Sequence, residues 1–341
     1  MLAAGAGAVV ATAGVLSGRA ARHPDLPAQR WTRPLPAAVA RMADARATRF
    51  ALWGLGLAGA IAGIALLAGH DAPVDGLAVL PLVTALALVA GPVLHLVNPL
   101  GDTRFVVDGD GQADQEGNDL RGATLWLVAL CAIALSTRTP QALAVTATVY
   151  LLAQAATTWR LGRHTDALGT LAALLGHLAP VGRGDAGRPV WRNPLVAAAH
   201  AALPGGVIPF GAVVIAASLT HALLHPVARV DPAFVGVATP VALFAAVAVA
   251  AAGLLGLCVL RPFFRGTIIP LVAAYGLVAA GRWVPPFDLL AFVGLHALAV
   301  GVLHRQALAR YDLRTARAVQ FPLRVALVAS VMAGLALLAG P

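Results

Sequence analysis

His221 and His225 stand four residues apart in the stretch THALLHP. On a helix that spacing puts both imidazoles on one face, where a single metal can accept both. Asp231 follows shortly after and supplies a possible third ligand. A zinc ion so held would lower the pKa of a bound water and deliver hydroxide at neutral pH. Copper suits the same imidazole donors. The stretch HALLH lacks the Glu that follows the first His in the zinc-protease signature, so that chemistry is not indicated. Against the metal stands a plainer reading, two interfacial histidines with local hydrogen bonds.

His296 and His304 lie eight residues apart. Two helical turns separate them by about 12 Å along the axis, too far for one shared metal. His296 falls inside an apolar run and is the intramembrane candidate to join His221 and His225 as a ligand. His304 falls at the run's end beside Arg305. A bis-histidine haem is a further use of such residues, but no particular pair stands out. His95 precedes Asn98 and Pro99, which read as a helix stop. The acidic stretch from Asp108 to Asp119 suggests calcium, but its spacing fails. The loop glycine required at the sixth position is Ala113 counted from Asp108 and Gln115 counted from Asp110. No nucleophile elbow, Walker loop, dinucleotide fingerprint, CxxC or HExxH occurs. Cys131 and Cys258 both sit in apolar runs and read as small hydrophobes.

The elements that must position these residues are apolar helices. Hydrophobic residues make up 59% of the 341 and charged ones 11%, against about 45–50% and 25% in a soluble domain. The predicted fold is all-α, a polytopic transmembrane helical bundle of about ten spans forming one integral membrane domain over residues 1–341. The runs are 1–18, 48–69, 77–98, 120–137, 140–158, 205–226, 235–260, 266–281, 286–304 and 321–340. A short basic amphipathic helix is expected over 37–47. The connection 159–204 is the longest, with an interfacial or re-entrant helix over 166–180. The stretch VGRGDAGRPVWRNP within it reads as a structured loop. Pro81, Pro92, Pro209, Pro240 and Pro270 fall within runs and suggest kinks.

Every one of the 24 cationic residues is Arg. Between positions 19 and 49 seven Arg face Asp25 and Asp44, a net +5. In 159–204 five Arg face Asp166 and Asp185, a net +3. Arg261 and Arg265, then Arg305, Arg310, Arg314 and Arg317, mark two more basic connections. By the positive-inside rule these are cytoplasmic, in a plasma (inner) membrane, with both chain ends outside. The loop 99–121 carries six acids against Arg104 and Arg121, but acids weigh little in orientation. Arg324, one turn into the last run, can snorkel to the inner interface. The net charge of +9 flanks apolar runs and so does not indicate nucleic acid. The expected surroundings are the lipid bilayer, with membrane-protein partners or a homo-oligomer.

Three stretches carry a resemblance. They are HLVNPL at 95–100, the block LGRHTDALGTLAALLGHLAPVGRGDAGRPVWRNPL at 161–195, and LLAFVGLHALAVGVLHRQALARYD at 289–312. Together they resemble a family of prokaryotic multi-pass membrane proteins, some labelled fenitrothion hydrolase, an organophosphate hydrolase. The similar element order covers most of the chain, and the pairing of LAPVGR with RNPL is its most specific part. The chain departs from the family pattern at several points. His95 stands where Arg is usual. LVAAYGLVAA has Tyr275 and no His. His296 follows Leu295, and His304 precedes Arg305 in place of Asp. The resemblance implies a multi-pass membrane fold and a metal-assisted hydrolase activity, and transfers no catalytic residue.

Four functions therefore stay open at this point. They are a small-solute permease, a non-catalytic membrane subunit of a complex, a metal-assisted membrane hydrolase with His221, His225 and His296 or Asp231 as ligands, and a haem or copper redox subunit.

Overall fold

The computed structural model describes residues 33–71, 120–137, 139–161, 166–183, 188–201, 203, 205–230, 238–258, 262–278 and 287–339. The fold is mostly helical. Its described helices are α1 (Ala37–Asp44), α2 (Arg46–Ala68), α3 (Leu120–Ser136), α4 (Pro140–Leu161), α5 (Ala167–Gly176), α6 (Pro194–His200), α7 (Val207–Val230), α8 (Ala238–Cys258), α9 (Ile268–Val278), α10 (Phe287–Leu308) and α11 (Leu313–Ala339). Eight of the described helices overlap the apolar runs, and three, α1, α5 and α6, lie in the connections. A 3₁₀ segment, Pro262–Thr267, leads directly into α9. The runs at 1–18 and 77–98, and the acidic loop 99–121 up to Asp119, lie outside the described residues.

Among the described residues, two helices are long and apolar enough to cross a membrane by length and composition. These are α2, over Phe50–Ala68, and α10, over Ala291–Leu308. They sit in opposite surroundings. The crossing segment of α2 has none of its length buried, whereas 61% of that of α10 is. Phe50, Leu55, Leu57, Ile61 and Leu66 of α2 are all exposed.

The core is built around α7, α9 and α10. Helix α9 packs against both α7 and α10, and α10 also packs against α6, α11 and the 3₁₀ segment. From Ile268 to Leu277 every residue of α9 is buried, which is what an all-round apolar helix must do. Helix α3 packs on α7, and α5 fills the space between α3 and α9. The short helix expected within 159–204 is therefore present as α5, and Leu171, Leu174 and Leu175 are covered by its neighbours.

Two expectations need correction. The stretch expected as a loop contains two strands. Val181–Arg183 (β2) and Pro189–Trp191 (β3) pair antiparallel, and Arg33–Pro34 (β1) adds to the far edge of β3, with Arg33 opposite Trp191. A chain segment before α1 supplies that strand, so no local pattern announces it. The described prolines among those named fall in first turns and not at helix centres. Pro209, Pro240 and Pro270 are the third residues of α7, α8 and α9, and in the first turns of α7 and α8 the backbone N–H has no partner within the helix and a proline removes nothing. Pro81 and Pro92 lie outside the described residues.

The helix ends are tied by side chains. Asp166 caps α5, its carboxylate accepting from the Leu168 amide at 3.0 Å. Tyr150 of α4 donates to the same carboxylate and accepts from the Ala167 amide at 2.9 Å. At the other end Arg192 donates to the carbonyls of Gly176 at 2.8 Å and Ala179 at 3.1 Å. Asn193 then caps α6, accepting from Leu195 at 3.0 Å, and Pro194 opens the helix. The RNPL stretch is thus a junction that closes one helix and starts the next.

Asp312 begins α11 in the same way, accepting from the amides of Arg314 at 3.1 Å and Thr315 at 3.3 Å. The Thr315 side chain, the Thr315 amide and the Arg314 amide hold the Asp312 carboxyl below the usual carboxylate range. A depressed pKa means the cap stabilises the helix above the unfolded pKa and is lost as pH falls through the folded one. Amide exchange at Arg314 and Thr315 should therefore be slow near neutrality and accelerate, beyond the intrinsic rate, only below the ordinary Asp range. The Asp312→Asn variant should flatten that dependence.

Candidate functional site

Among the described residues, two groups of buried polar side chains stand out. The first lies on α7 and α10, which both pack against α9. On α7, Ser218 and Thr220 are fully buried and His221 is 8% exposed. Ser218 donates to the Val214 carbonyl at 2.9 Å. On α10, His296 is 2% exposed and its Nδ1 lies 2.9 Å from the Phe292 carbonyl. A carbonyl can only accept, so Nδ1 carries the proton in the neutral ring. Nε2 is then the lone-pair nitrogen, the one that could accept a hydrogen bond or bind a metal. Tyr275 of α9 and Phe292 frame the ring edge-on and tilted, with centroids 5.6 and 4.3 Å away.

Of the pair His221 and His225, only the first side chain is described, and it is buried inside the bundle. His225 lies one turn further along α7, but its side chain, and all of Asp231, lie outside the described residues. Among the described residues no group of three or more His, Cys, Asp or Glu side chains is placed to hold a metal. Cys131 is buried as an apolar residue.

The second group lies where α10 ends and α11 begins, and the sequence reading did not single it out as a unit. Arg305 is only 2% exposed, Gln306 6% and Gln320 fully buried. Gln306 donates from Nε2 to the Ala199 carbonyl at 3.0 Å, tying α10 to α6. Gly266 sits against this bond. A Cβ there would run into the Ala198 carbonyl oxygen and come within 2.8 Å of Gln306 Nε2. Arg265 donates to the Leu203 carbonyl at 3.0 Å.

On the α11 side, Arg324 Nη2 donates to Gln320 Oε1 at 2.7 Å. His304 Nδ1 lies 2.9 Å from the same oxygen. A guanidinium has only donors, which fixes Oε1 as the acceptor and requires the His304 proton to be on Nδ1. The 3.3 Å approach of Arg324 to that nitrogen is then a contact between two donors and not a hydrogen bond. The sequence marks His304, Arg305 and Arg324 one by one, and nothing in it joins them to Gln306 and Gln320. Their burial is a tertiary result.

Comparison with protein-family models, with curated proteins and with solved structures gives no match to this chain. The site is therefore judged on its own chemistry.

Proposed function

We propose that the chain is a multi-pass membrane protein of about ten spans with its Arg-rich connections in the cytoplasm, and that it acts as a permease-like protein for a small solute. The orientation is supported by which connections touch. Arg33, from the first basic segment, pairs with Trp191 in the 159–204 connection. Arg265 bonds Leu203, and Gln306 bonds Ala199. All four basic connections thus meet at one end of the bundle. At the other end the His70 carbonyl, after α2, accepts from Gln141 at the start of α4 at 3.0 Å, as two outer loops should. The open apolar faces of α2 and α11 would be untenable in water over such lengths.

The observation that carries the permease reading is His296. It is an ionisable ring buried in an apolar bundle, and buried hydroxyls and a second histidine, His221, lie on α7, which like α10 packs against α9. Burying polar groups costs free energy that an apolar side chain would not. A helix kept for packing or passive assembly has no use for that cost. The hydrolase reading implied by the family resemblance draws on His225 and Asp231, whose side chains lie outside the described residues.

Purified protein in proteoliposomes should move one or more small polar solutes in a saturable way in a counterflow assay. The His296→Leu variant should lose the saturable component while keeping its unfolding midpoint. If no solute moves and a stable membrane partner co-purifies, the subunit reading replaces this one. Stoichiometric zinc or copper in the purified protein would instead favour the hydrolase or redox reading.

A further inference from the structure

The start of α11 is basic in a way its own structure does not neutralise. From Arg305 to Pro341 the sequence has five Arg and a single acid, Asp312, and that acid is occupied as the α11 cap. Arg314, Arg317 and Arg324 are all exposed. Arg317 and Arg324 are seven residues apart, so they lie almost in line, about 10 Å apart along the helix axis.

The surface around them changes character at this level. Phe321, Val325, Val328 and Met332 are exposed on the same side of α11, giving an apolar stripe that begins one turn past Arg317. That order, cations and then apolar residues along one helix face, matches the headgroup-to-acyl boundary of a bilayer. Arg324 starts inside the apolar stripe. A helical side chain leans toward the helix N-terminus, and the bond from Arg324 to Gln320, one turn earlier, holds it turned back in that direction. Gln320 is itself buried and held by His304. The guanidinium is therefore positioned from beneath and not free to wander.

We propose that this face of α11 is a binding site for the phosphate headgroup of an anionic phospholipid in the cytoplasmic leaflet, with Arg317 and Arg324 as its cations and Gln320 and His304 as positioning residues. The acyl chains run along Phe321, Val325 and Val328. The proposal rests on the membrane orientation given above.

The test uses the full chain purified in detergent. It is titrated with short-chain phosphatidylglycerol, with phosphatidylcholine of the same chain length, and with inorganic phosphate, and binding is read from the shift in thermal unfolding. Phosphatidylglycerol should bind in preference to phosphatidylcholine. Removing one arginine should weaken it about fivefold, and R317Q/R324Q together about thirtyfold. If the double variant does not fold, R317Q alone, at an exposed position, carries the same fivefold expectation. Equal binding of the two lipids, an unchanged affinity in the variants, or equal protection by inorganic phosphate would each overturn the lipid site. Washing membranes with alkaline carbonate separates the two levels. A chain released by the wash would refute the membrane reading itself, whereas a retained chain without lipid preference would refute only the headgroup site.

Discussion

The Gly266→Ala variant should lose about 2–3 kcal/mol of stability, the largest effect expected from a single methyl group in this chain. Position 266 lies where the 3₁₀ segment crosses the end of α6, and an added Cβ would meet the Ala198 carbonyl oxygen. That oxygen belongs to the backbone and cannot swing aside as a side-chain tip would. The same Cβ would press on Gln306 Nε2 at 2.8 Å and disturb its bond to Ala199. Both effects act on the junction of α6, α10 and the 3₁₀ segment. Gly253 is the control. A Cβ there meets nothing within 4 Å, and it lies inside α8, so Gly253→Ala should be neutral or gain up to about 1 kcal/mol from helix propensity. Unfolding midpoints in detergent, by heat or by increasing dodecyl sulfate, compare the two. Equal behaviour at 253 and 266 would refute the close packing at the junction.

The Arg192→Ala variant should cost about 2–3 kcal/mol, because it strips charge-assisted bonds from the Gly176 and Ala179 carbonyls and leaves them without those donors. Arg192→Lys should restore less than half of the loss. An ammonium is a point charge and cannot reproduce the planar fork that reaches both carbonyls. Gly182 is coupled to the same side chain. A Cβ there would strike the guanidinium, coming within 2.6 Å of Nε and Nη1. Gly182→Ala alone should therefore destabilise, and the double variant with Arg192→Ala should cost clearly less than the sum, since the obstacle is gone. Additive losses in that cycle would place Arg192 elsewhere. The measurement is again the unfolding midpoint, with protease accessibility of the 184–187 segment as a second readout.

Much of the helical content was legible in the chain, and particular residues show why. A helix is a local object. The apolar runs 48–69 and 286–304 needed only their own composition to be recognised, whereas α6 falls where a loop was expected, although its Asn193 cap and Pro194 are local signals of a helix start. Charge placement was equally local, and the four Arg-rich connections are legible as basic segments from the sequence alone. What the sequence could not give are the pairings between distant segments. Arg33 reads as one more basic residue until it is seen opposite Trp191 in the sheet. Arg305 reads as the first cation of a cytoplasmic connection, yet it is 2% exposed, because α10 runs on to Leu308 with α6 and α11 packed against it. The histidines divide in the same way. Spacing alone put His221 and His225 on one face, but whether a histidine is buried, which of its nitrogens holds the proton, and which residues frame it depend on helices brought together from elsewhere. For His296 those are the carbonyl of Phe292 and the ring of Tyr275 on α9. Periodicity and charge are written along the chain, whereas burial and partnership are properties of the space between helices, and only the tertiary structure decides them.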